Sequence, residues 1–103
     1  MNYCIITTTL SNKTLAKSIA STLLKKNLAA CIQMYPIESF YKWQGEIENS
    51  KEILLQIKTK TTLFEKVKQE IELQHEYEIP EIIMTPIING NQPYLKWIDE
   101  ETQ

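Results

Sequence analysis

The stretch from Glu38 to Lys60 constrains this chain more than any other. It reads Ser39-Phe40-Tyr41-Lys42-Trp43-Gln44-Gly45, then Glu46 to Ser50, then Lys51-Glu52-Ile53-Leu54-Leu55-Gln56-Ile57-Lys58-Thr59. Two strand-like runs around a polar, glycine-containing connection predict an antiparallel hairpin. In the second run Ile53, Leu55 and Ile57 fall on one face. Glu52, Gln56 and Lys58 fall on the other, with Leu54 among them. That period of two marks a half-buried strand. A helix-like pattern lies on each side of the hairpin, so both halves of the chain must dock on it.

Ahead of the hairpin, the β-branched and aromatic run from Tyr3 to Thr9 predicts strand 1. Ser11 or Asn12 can cap a first helix, whose apolar stripe is Leu15, Ile19 and Leu23. Lys25 and Lys26 suit its negative end, and Asn27 can take the left-handed position that stops it. Leu28 to Met34 predicts strand 2, ending before Pro36. Beyond the hairpin, Thr62-x-x-Glu65 reads as a capping box for a second helix with Leu63, Val67 and Ile71 as its stripe. That stripe runs out near Gln74, and His75 to Pro80 reads as a polar loop. Glu81 to Ile88 predicts strand 4, and Asn89-Gly90 a turn. A last short helix has Pro93 in its first turn and Tyr94, Trp97 and Ile98 as its stripe. The order predicts an α+β fold: a ferredoxin-like β-α-β-β-α-β antiparallel sheet with a C-terminal helix, one domain over residues 1–103.

Two helices cover one face of such a sheet, and the other face should be polar. Here it is not: Ile82 and Met84 point one way, Ile83 and Ile87 the other, and strand 1 alternates Cys4, Ile5 and Ile6. A sheet buried on both faces needs a second cover, and the last helix is too short to supply all of it. Sheet chemistry alone therefore predicts an oligomer.

Composition excludes several classes. The formal net charge is -2, and all eleven basic residues are lysine. That argues against nucleic acid, which favours a basic patch and arginine forks. No apolar run approaches the roughly 18 residues of a membrane span. The start has no charged n-region and no cleavage site, and two cysteines make no disulfide framework, so a cytoplasmic location with reduced thiols is expected. Strand 3 lies between strands 1 and 2 in this topology. It sets Cys4 and Cys31 about 10 Å apart, beyond the roughly 7 Å a disulfide spans.

Few residues could carry chemistry. The only histidine, His75, sits in His75-Glu76-Tyr77-Glu78-Ile79-Pro80-Glu81. A lone histidine is commonly structural; with Glu78 or Glu81 it could also form a metal site. Such a site would weaken as pH falls through the imidazole range, because only the neutral ring ligates. Cys31 reads as a small hydrophobe in an apolar strand, or more sharply as a copper-preferring thiolate lining a cleft. Lys58 reads as a solvated side chain, or as a cleft lysine that binds an anion. Trp43, Tyr77, Tyr94 and Trp97 read as packing residues at a subunit interface. With no arginine, only two glycines and no triad, hydrolase and phosphate-loop chemistry are excluded. Strand 3 has no aromatic, unlike an RNA-binding domain of this topology.

Five blocks in order resemble the CutA divalent-cation tolerance family. They are Leu28-Ala29-Ala30-Cys31-Ile32, Ser39 to Gly45, Glu52 to Thr59, His75 to Ile82, and Tyr94-Leu95-Lys96-Trp97-Ile98. The resemblance implies a tight homotrimer with architecture like the PII signalling proteins, a link to copper and other divalent metals, and no enzymatic activity. It carries the family's cleft residues onto Trp43, Lys58, Tyr77 and Glu81, with His75, Cys31 and Glu78 toward the metal. The chain departs from the family pattern at Gln33, where asparagine is usual, and at Glu76, where proline is usual. Thr7, Thr8 and Thr9 stand where some members place a copper-holding cysteine. The other class the resemblance allows is a PII-like signalling or scaffold trimer that binds a small anion, through Lys58, in a cleft between subunits.

Overall fold

The computed structural model describes residues 2–103, leaving Met1 outside. Eight facing residue pairs align Tyr3–Leu10 (β1) antiparallel to the inner half of Glu46–Lys60 (β3). The sheet is four-stranded and antiparallel, in the order β2-β3-β1-β4, where β2 is Cys31–Trp43 and β4 is Ile82–Pro86. The connections form the expected ferredoxin-like β-α-β-β-α-β order, with helices α1 (Lys13–Lys25) and α2 (Phe64–Gln74) between strands and α3 (Gln92–Glu100) at the end.

Alternation along the strands decides which side chains meet the helices. Cys4 and Ile6 of β1 and Leu55 and Ile57 of β3 are fully buried against Ala16, Ile19 and Leu23 of α1 and Val67 and Ile71 of α2. Burying each such aliphatic side chain contributes about 1.5–3 kcal/mol. Lys58 and Lys60 alternate with this set and so lie on the second face. There Lys58 Nζ stands 5.5 Å from the Tyr94 ring and Lys60 pairs with Asp99 at 3.7 Å, which places α3 on that face. Leu95 and Ile98 are the side chains α3 buries. The helix is nine residues long and leaves Ile83 52% and Tyr35 45% exposed.

Local signals hold in α1. Asn12 Oδ1 accepts from the Leu15 N–H at 2.8 Å, and Asn27 adopts φ 56° just past the helix end. Four boundaries differ from expectation. β2 does not stop before Pro36: it runs through that residue, which pairs with Ile53. β2 is an edge strand, where a missing N–H costs no ladder bond on the open side. The polar run Glu46–Ser50 is strand rather than connection, because the turn is only Gln44-Gly45. Both residues have positive φ (51° and 83°), as a two-residue hairpin turn of matching twist demands. The Thr62–Glu65 capping box does not form. The chain leaves β3 through a 3₁₀ turn over Thr61–Leu63, and α2 starts at Phe64 with no side-chain cap, only Glu65 in its first turn. β4 is also shorter than the expected Glu81–Ile88.

β1 reaches only as far as Ile53 of β3, so the outer part of the β2–β3 hairpin pairs with itself alone. It stands clear of the sheet as an arm with Phe40 72% and Ile47 77% exposed. The strand order separates the cysteines as expected: Cys4 pairs with Thr59 and Cys31 with Lys58, and both are free. Burial pushes the Cys4 thiol up to about 11. Peptide mapping without reductant is expected to show no Cys4–Cys31 link. Cys4 should also resist alkylation in the native protein, since the fold both shields the thiol and keeps it protonated. A link between the two would mean a different strand order.

Candidate functional site

The outer half of β2, in the hairpin arm, and the loop after α2 enclose an open cleft of about 830 Å³. β2 contributes an aromatic wall of Phe40, Tyr41 and Trp43, and the loop contributes Tyr77, Glu78, Ile79 and Glu81. Glu52, at the root of the arm, completes the floor and is only 8% exposed. It is held by the Tyr77 hydroxyl, which donates to Glu52 Oε2 at 2.7 Å. A carboxylate so deeply buried needs such a donor. Burial first, and then this bond and the charge of Glu52, raise the Tyr77 phenol above its ordinary range. The folded chain therefore holds that proton more tightly than the unfolded one. The stability so gained is complete below the usual phenol range, about 10, and is lost as pH climbs toward the folded value.

His75 stands behind Tyr77 and is spent on the backbone. Its Nε2 lies 2.8 Å from the Thr9 carbonyl oxygen, and its Nδ1 lies 3.1 Å from the Tyr77 N–H. A carbonyl only accepts and a backbone N–H only donates, so the ring is the neutral tautomer with its proton on Nε2. The ring also packs on Tyr77 at 4.8 Å between centroids. Glu76 takes hydrogen bonds from the backbone N–H and the hydroxyl of Ser11. The loop is thus tied to the end of β1 through His75, to β3 through Tyr77, and to the start of α1 through Glu76.

Of the residues singled out in the sequence, Trp43, Tyr77, Glu78 and Glu81 share the cleft. His75 adjoins it without presenting a free ring nitrogen. Cys31 and Lys58 lie elsewhere: they face each other across β2 and β3 near α3, at the end of the hairpin opposite Trp43. Among the described residues no three of His, Cys, Asp and Glu gather as a metal site. One chain therefore does not bring His75, Cys31 and Glu78 together. Sequence reasoning passed over Glu52 and Tyr41, which line the same cleft. The available signal was a carboxylate at the first position of an otherwise apolar strand core. No helix among the described residues is long and apolar enough to cross a membrane.

The family model described as CutA1 divalent ion tolerance protein matches residues 4–101. The divalent-cation tolerance protein CutA of Thermus thermophilus is 39% identical over 99 residues, spanning 95% of this chain and 96% of that protein. Human protein CutA is 40% identical over 96 residues, 92% of this chain and 54% of the human one, so the chain spans about half the length of that relative. Among solved structures, the periplasmic divalent cation tolerance protein CutA from Archaeoglobus fulgidus superposes with a TM-score of 0.96 at 38% identity. That match covers 98% of this chain and 99% of the other.

Proposed function

The chain belongs to the CutA1 divalent ion tolerance family, and from that membership we propose a non-enzymatic homotrimer that binds divalent cations, copper foremost, in a reducing compartment such as the cytoplasm. The observation that carries the reading to a place is the charge of the cleft. Its walls hold four carboxylates, Glu52, Glu76, Glu78 and Glu81, against one lysine, Lys42. Glu52 and Glu76 are already engaged by Tyr77 and Ser11. Glu78 and Glu81 are exposed and free to take a cation. Oxygen ligands alone favour no particular divalent ion strongly, so the order among them follows intrinsic affinity, which is highest for copper. His75 supports this site by holding Tyr77, rather than by ligation. Cys31 takes part only if a second copy brings its own across a subunit boundary.

Two carboxylates and water make a modest site. Calorimetry with Cu(II), Co(II) and Mn(II) near neutral pH is expected to give copper the tightest binding. The Glu78→Gln/Glu81→Gln variant should lose at least about fivefold in copper affinity, roughly 1 kcal/mol. Unchanged affinity in that variant would remove the cleft from the reading. Absence of copper binding by the wild type would leave the anion-binding alternative, with Lys58, ahead.

A further inference from the structure

Asn89-Gly90 is the one asparagine–glycine pair in the chain. Both residues are exposed and lie outside regular structure, between β4 and α3. The Gly90 N–H donates to Asn89 Oδ1 at 2.9 Å. The backbone nitrogen is therefore held against the side-chain amide of the preceding residue, and its hydrogen bond polarises that carbonyl. Glycine has no Cβ to obstruct a closer approach. Holding two reacting groups in contact turns an encounter into a positioned intramolecular step. The other asparagines are placed differently. Asn12 caps α1 through its Oδ1, Asn49 sits in β3 with its amide donating to the Ser39 carbonyl, and Asn2, Asn27 and Asn91 precede Tyr3, Leu28 and Gln92, whose side chains obstruct the approach that glycine leaves open.

We infer that Asn89 is a self-modification site, losing ammonia through a cyclic imide with Gly90 to become aspartate and isoaspartate. The Gly90 nitrogen gives its proton to hydroxide and bonds to Asn89 Cγ. The Cγ–Nδ2 bond breaks, and ammonia leaves with a proton taken from water. Water then opens the ring. Attack at Cγ gives aspartate; attack at the main-chain carbonyl gives isoaspartate, with the chain rerouted through the side-chain carbons. The balance is one water consumed and one ammonia released, with no change of oxidation state.

The two products differ in what they do to α3. That helix has no acidic side chain in its first turn, so a carboxylate just ahead of it meets an uncompensated positive end. Aspartate is accommodated on that account. Isoaspartate adds a carbon to the main chain where the backbone passes close to Leu95: a Cβ at Gly90 would stand 3.3 Å from Leu95 Cδ2. It therefore disturbs the seating of α3, the helix that covers part of the second sheet face.

The test is incubation of the full-length protein at mildly alkaline pH beside a peptide of residues 86–94, followed by peptide mapping. The expected result is a gain of about 1 Da at position 89, at a rate within about tenfold of the peptide's and at least about tenfold above any other asparagine. Asn89→Gln, which would need a larger ring, should abolish the gain. The inference is overturned if the folded protein reacts more than about tenfold slower than the peptide, if other asparagines react as fast, or if the gain survives in Asn89→Gln.

Discussion

Replacing His75 with alanine is expected to lower stability by about 2–3 kcal/mol without abolishing copper binding. The ring satisfies two backbone groups at once, the Thr9 carbonyl and the Tyr77 N–H. Both are part-buried, and truncation leaves each without its partner, which costs more than the net worth of the bonds. The ring contact with Tyr77 goes too. His75→Gln should fall between wild type and alanine, because its amide can still donate to Thr9 but cannot reproduce the Nδ1 acceptor. Thermal unfolding of the three proteins at one concentration measures this. A melting temperature unchanged in His75→Ala would show that the loop holds itself without the ring. Copper binding abolished in His75→Gln, with the fold intact, would return the imidazole to the ligand set.

Trp43→Ala is expected to weaken assembly by about 2–4 kcal/mol, the scale of an aromatic anchor at an interface. Trp43 is 36% exposed in the single chain although it is the last residue of β2 before the turn. Phe40 and Ile47 on the same arm are far more exposed. Soluble monomers seldom present so continuous an apolar surface, and an arm that pairs only with itself gains nothing from the core of its own chain. Sedimentation of the variant over a dilution series should show dissociation at concentrations where the wild type stays assembled. A variant as assembled and as heat-stable as the wild type would make Trp43 an ordinary surface residue.

What could be read from the sequence was what depends on near neighbours. The alternation of Ile53, Leu55 and Ile57 identified the buried face of β3, and all three pack in or against the core. Asn12 and Asn27 marked the ends of α1 because capping and left-handed backbone are set within a turn. Pro36 misled, since its cost depends on whether its strand lies at an edge, and the sheet order decides that. Thr62 and Glu65 misled because the exit from β3 is a 3₁₀ turn, which shifts α2 past the box. The bond between Tyr77 and Glu52 joins residues 25 apart in the chain, and no local pattern announces it. The same holds for His75. Its residue type suggested ligation, and only the position of Thr9, 66 residues away, shows where its Nε2 proton goes. The resemblance pooled Cys31 and Lys58 with the cleft residues, whereas within one chain the hairpin carries them to its opposite end.

The mass of the folded protein in solution tests the central claim most directly, because the apolar second face and the free-standing arm are the surfaces that the proposed trimer would cover. Light scattering at micromolar concentration is expected to return three times the chain mass of 12.1 kDa, with unfolding that shifts to higher temperature as protein concentration rises. A folded, cooperative species of 12.1 kDa under the same conditions would contradict it.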